Sequence, residues 1–175
     1  MSCIIENGYE LACASTGGIK RVWVGTWDAD ADYDISTATA SLNVVAGATG
    51  ISNPLYEMEQ DIEYSGLTQP IQVNRDNGTV HFETQLTLKF IELDFELRNL
   101  IVALSRAPLY AVVESNAGQF YILGVESPGR VSEGESSLGT TFDDLNGVEL
   151  TIQFKSKNGI YLLDENIIGT DLPLA

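Results

Sequence analysis

Thr79-Val80-His81-Phe82-Glu83-Thr84-Gln85-Leu86-Thr87-Leu88-Lys89-Phe90 is the stretch that decides the fold class. Val80, Phe82, Thr84, Leu86, Leu88 and Phe90 alternate strictly with Thr79, His81, Glu83, Gln85, Thr87 and Lys89. A period of two puts the first set on one face of a strand and the second on the other, so one face is expected to be buried and the other wet. At about 3.3 Å per residue the run spans roughly 40 Å, longer than the usual strand of a compact domain. Such a length suits a sheet shared between subunits.

Working outward, Ile71-Gln72-Val73-Asn74 precedes this strand across Arg75-Asp76-Asn77-Gly78. Asn-Gly supplies the positive φ angles of tight turns, so the two runs predict a long β-hairpin. On its C-terminal side Asp94 is placed to cap a helix and Glu96 favours the positive N-terminal end. Leu97, Leu100, Ile101 and Leu104 then recur at helical spacing up to Pro108. Leu109–Glu114 and Gln119–Gly124 flank Ser115-Asn116-Ala117-Gly118 and predict a second hairpin. Val148–Phe154 alternates after Asn146-Gly147, and Ile160–Leu163 is a candidate partner for it through Lys157-Asn158-Gly159. Near the N-terminus, Ile19–Trp27 reads as a strand entered through Thr16-Gly17-Gly18, Asp28–Gly50 as a loop or weak strands, and Ser127–Thr140 as an exposed loop.

The expectation is a mainly β (α+β) fold of roughly seven or eight strands, an antiparallel β-sandwich or half-barrel with one packed α-helix and a long hairpin. It forms a single domain over 1–175, with 1–16 as an N-terminal arm and 155–175 as a C-terminal extension.

The chain has 25 acidic and 9 basic residues, a net charge of −16, with 44% hydrophobic and 19% charged residues. That composition is globular rather than disordered, and the charge opposes binding to phosphate backbones. No apolar run reaches the roughly 20 residues of a spanning helix, and Met1–Ser15 lacks the pattern of a secretory signal, so no membrane association and an unsecreted product are expected. Cys3 and Cys13 read as reduced thiols.

Little in the chain points to catalysis. The single histidine, His81, falls on the polar face of the long strand, and no nucleophile elbow, phosphate-binding loop or dinucleotide fingerprint is present. Asp28, Asp30, Asp32 and Asp34 stand at alternate positions, as Ca²⁺ ligands do. Tyr33 nevertheless occupies the place of the turn glycine and Thr39 that of the bidentate glutamate. They are the only metal candidates, weighed against a solvated acidic loop or the lining of an electronegative channel. Trp23 and Trp27 point to one strand face and read as core or interface. No cofactor is expected.

The order of blocks resembles a known family. Cys13-Ala14-Ser15-Thr16-Gly17-Gly18-Ile19-Lys20-Arg21-Val22-Trp23 is followed by Tyr56-Glu57-Met58-Glu59 and by Gln69-Pro70-Ile71-Gln72-Val73-Asn74-Arg75-Asp76-Asn77-Gly78-Thr79-Val80. Then come the long strand, a helix carrying Arg98-Asn99, the Val113–Gly118 hairpin and Asp144-Leu145-Asn146-Gly147-Val148-Glu149-Leu150-Thr151. From Gly17 to Phe154 this is similar to small virion structural proteins of tailed bacteriophages of the type infecting Bacteroidetes hosts, and looks like a tail-tube subunit.

The resemblance implies a non-enzymatic virion protein assembled in the host cytoplasm. Its copies join sheets into rings, usually of six, that stack into a tube and meet other tail proteins, and DNA passes through the lumen without specific binding. It makes the hairpin residues Ile71, Val73, Val80, Phe82, Leu86, Leu88 and Phe90 the candidate assembly element and inner wall, and the 28–50 and 127–140 segments candidate ring-to-ring contacts. The rival readings are a tail terminator or head-tail completion protein and a calcium-binding β-sandwich adhesion or ligand-binding module.

Overall fold

The computed structural model describes residues 16–36, 43–60, 63–92, 94–139, 144 and 146–175. Cys3, Cys13, Thr39, Thr140 and all of the N-terminal arm before Thr16 lie outside the described residues. Twelve strands among the described residues form two sheets. The larger comprises β1 (Ile19–Thr26), β2 (Asp32–Ile35), β3 (Val44–Thr49), β4 (Leu55–Met58), β8 (Leu109–Ser115), β9 (Phe120–Leu123) and β12 (Tyr161–Leu163), in the order β2-β3-β12-β9-β8-β1-β4. The smaller comprises β5 (Gly66–Thr68), β6 (Ile71–Asn74), β7 (Thr79–Ile91), β10 (Arg130–Ser137) and β11 (Gly147–Ser156), in the order β10-β11-β7-β5, with β6 also on β7. The fold is thus mainly β, sandwich-like, with one helix.

Helix α1 (Phe95–Arg106) forms where its signals stand: Asp94 Oδ1 accepts from the Leu97 N–H at 2.7 Å, and Ala107 and Pro108 end it. Leu104 is buried and Leu97, Leu100 and Ile101 are half-buried against the core between the sheets. That core takes Leu86, Leu88 and Phe90 from β7, Val148, Leu150, Ile152 and Phe154 from β11, and Val22, Val24, Ala111 and Val113 from the larger sheet.

The other face of the larger sheet carries a second core, with Trp23, Tyr110, Val112 and Ile122 on the central strands. Covering it are Val45 and Ala48 of β3, Leu55 of β4, and Ile167 and Leu172 from the C-terminal segment. β1 and β8 are therefore buried on both faces, which is why Leu109–Glu114 reads as an unbroken apolar run. The segment after 155 is no appendage: it supplies the end of β11, strand β12, a 3₁₀ turn (Glu165–Ile167) and the lid of the second core.

Two expectations are corrected. Ile160–Leu163 does not return on Val148–Phe154; β12 pairs antiparallel with β9 and parallel with β3. Residues 130–137 of the supposed 127–140 loop form edge strand β10 on β11. The Asp28–Gly50 region, expected as a loop or weak strands, carries the short strands β2 and β3 paired antiparallel, its residues 37–42 lying outside the described residues.

The long hairpin is present and longer on its first arm than expected. Leu67 faces Leu86 and Ile71 faces Phe82, so β5 and β6 keep one register across Gln69-Pro70. Pro70 has no N–H to give, but its carbonyl accepts from the Glu83 N–H at 3.1 Å, and Gln69 Nε2 donates to Thr84 Oγ1 at 3.0 Å. At the turn Asn74 Oδ1 accepts from the Asp76 and Asn77 N–H groups, and within Arg75–Gly78 only Gly78 takes a positive φ (66°).

Candidate functional site

Strand β11 accompanies β7 only from Ser156, opposite Phe82, to Gly147, opposite Ile91. Thr79, Val80 and His81 run on past it, paired with β6 alone, so the end of the hairpin projects as a two-stranded ribbon. Val73 faces Val80 and Ile71 faces Phe82 on the same side as Leu86, Leu88 and Phe90. The apolar stripe that builds the core therefore continues beyond the point where the core ends. Ile71 and Val73 are each 59% exposed and Val80 is 53% exposed, whereas Phe82 is half-buried. Of the seven hairpin residues expected at an interface, three stand on the surface; Leu86, Leu88 and Phe90 are used inside their own subunit. Apolar surface exposed on a strand pair is characteristic of contact surfaces.

The opposite face of β7 is polar and matched across the strands. Lys89 faces Glu149, Thr87 faces Thr151, Gln85 faces Gln153, and Glu83 faces Lys155, whose Nζ lies 3.3 Å from the Glu83 carboxylate. That hydrogen bond, with a second from His81 Nε2 at 3.5 Å, holds the Glu83 carboxyl below its ordinary range. His81 is thus on the polar face, as its position in the alternation predicts.

The four aspartates do not converge. The Asp28 carboxylate accepts from the Asp30 and Ser52 N–H groups, both at 3.2 Å, and so ties its own loop together. Asp32 and Asp34 point outward from β2, while Tyr33 and Ile35 pack on the second core. Among the described residues no three His, Cys, Asp or Glu side chains gather as a metal would need. The thermal midpoint is expected to be the same in millimolar calcium and in chelator. A rise with calcium would contradict this arrangement, because a ligand selective for the folded state stabilises it. Asp32 and Asp34 lie on β2, an edge strand of the larger sheet, whereas the hairpin belongs to the smaller one.

Trp23 and Trp27 both join the second core, Trp27 donating from Nε1 to the Gly124 carbonyl at 2.9 Å. Sequence reasoning missed Glu114, a buried carboxylate on β8. A bulge between Ile19 and Arg21 sets two residues of β1 opposite it. Lys20 Nζ and Arg21 Nε then reach its two oxygens at 2.7 and 2.6 Å. An open cleft of about 510 Å³ lies beside them, lined also by Met58, Lys89 and Phe90. Its cations are engaged: Lys20 and Arg21 hold Glu114, and Lys89 sits 4.9 Å over the Tyr64 ring. The cleft therefore offers no ready anion site.

Searched against protein-family models and against curated proteins, the sequence matches none.

Proposed function

We propose that this chain is a structural subunit that works by assembling with copies of itself, in the manner of the tail-tube proteins of tailed bacteriophages that its sequence resembles. The observation that carries the reading is the projecting ribbon, whose Ile71, Val73 and Val80 extend a core stripe into solvent with no cover among the described residues. A monomer gains nothing from that exposure, and a second chain seated on it removes it from water.

Other features support the same reading. Among the described residues β2 ends the larger sheet and β10 the smaller with no strand on their outer sides, so these edges are free to join neighbours, whereas residues 173–175 already pair on Leu55 of β4. The polar face of β7 and β11 balances Glu83 and Glu149 with Lys89 and Lys155. A ring that turned this face inward would present Thr, Gln and paired charges to passing DNA, without a basic patch to retain it. In this reading the protein is non-catalytic, its first partner is itself, its further partners are other tail proteins, and its place is the virion tail.

Negative-stain electron microscopy with mass determination over a range of protein concentrations tests the proposal. Rings or hollow tubes are the expected result. A monomer at every concentration would refute self-assembly.

A further inference from the structure

Among the described residues the ribbon is not the only apolar surface left exposed. At the opposite end of β7, Ile91 is 55% exposed, Phe95 at the start of α1 is 79% exposed, and Leu138 just after β10 is 74% exposed. These three share one rim of the smaller sheet. Ile91 faces Gly147 and Gly147 faces Ser137, which puts the end of β10 two strand spacings from Ile91, or about 10 Å. We infer that the ribbon of one copy docks on the Ile91, Phe95 and Leu138 rim of a second copy, so that subunits join head to tail along β7. The inference rests on the self-assembly proposed above and names the surface that receives the ribbon.

Three observations favour a second copy as the occupant. The two surfaces lie at opposite ends of one strand, eleven residues or about 37 Å apart, so joining them repeats without leaving either face uncovered along the stack. Both are small and apolar, as suits contacts repeated many times. Their charges are compatible as well: Arg75 balances Asp76 at the tip, whereas the rim carries Glu92, Asp94 and Glu96 before Arg98 is reached one turn into α1. In a chain of net charge −16, most other surfaces would bring like charges together. The contact is heterologous, so a tip and a rim stay free at the two ends of every stack.

Two variants test it, both altering exposed positions where folding should be little affected: Val73→Ser with Val80→Ser at the tip, and Phe95→Ser with Leu138→Ser at the rim. Near-UV circular dichroism confirms that each is folded. Each variant alone is expected to stop at the unstacked unit. Mixed one to one after separate preparation, the pair is expected to double that mass and grow no further, because the tip variant still offers a rim and the rim variant still offers a tip. If the rim variant stacks like wild type, or the mixture does not double, the inference is overturned while self-assembly stands. If wild type itself never assembles, both fall.

Discussion

Leu172→Ala should lower the free energy of unfolding by about 2–5 kcal/mol, the range for emptying a buried leucine site, against a total of roughly 5–15 kcal/mol for an ordinary domain. Leu172 is fully buried in the second core, three residues before Ala175. It is held there by more than contact. Its N–H donates to the Ile167 carbonyl at 3.0 Å, the Leu55 N–H donates to Pro173 O at 2.8 Å, and the Ala175 N–H donates to Leu55 O at 3.0 Å. Asp171 Oδ2 accepts from the Ala48 N–H at 3.2 Å. The segment therefore ties β3 to β4, which stand far apart in the strand order, and closes the rolled face of the larger sheet over Trp23 and Tyr110. Urea unfolding of the wild type and the variant measures the effect. A loss below about 1 kcal/mol would mean that the site collapses or that this lid contributes little.

Removing the two cations from Glu114 is the second large effect. In Lys20→Ala/Arg21→Ala a carboxylate only 5% exposed loses both partners. The expected cost at neutral pH is about 1–3 kcal/mol, discounted from that of a deep ion pair because the two cations are themselves half-exposed. The pH dependence distinguishes this cause from lost packing. In the wild type burial alone would raise the Glu114 carboxyl, but the hydrogen bonds and charges of Lys20 and Arg21 outweigh it and hold the carboxyl below its ordinary value of 4.5. A folded value lowered in this way contributes stability above the unfolded value, and that contribution is lost as pH falls through the folded one. Without the cations burial prevails and the folded value rises, so the charged form destabilises the variant at pH 7 and protonation relieves it. The stability gap between wild type and variant should therefore narrow from pH 7 to pH 5. A constant gap would assign the loss to packing.

Much of the fold was legible where a residue's own neighbours in sequence decide its place. The alternation of Val80–Phe90 marks β7, Asp94 with the Leu97–Leu104 spacing marks α1, and Ser115–Gly118 marks the turn between β8 and β9. Strand β10 was not legible because nearly all of Arg130–Ser137 is exposed at a sheet edge; its pairing with β11, not its own pattern, makes it a strand. The partner of β12 was hidden because a three-residue strand has almost no pattern of its own, and its place depends on β3 and β9, which are distant in sequence. The candidate site was half legible. Alternation put Ile71, Val73 and Val80 on the core face, but where the core stops depends on where β11 ends, at Ser156, and no local signal carries that. The Glu114 clamp was invisible because it needs a bulge across strands more than ninety residues apart.

Whether the apolar ribbon drives association is read from sedimentation velocity of the wild type beside Ile71→Ser/Val73→Ser/Val80→Ser over one concentration series. All three residues are exposed, so the variant should keep the wild-type thermal midpoint to within a few degrees. The wild type is expected to shift to large species as concentration rises, and the variant to lose them. Superimposable distributions, whether both assembled or both monomeric, would contradict it.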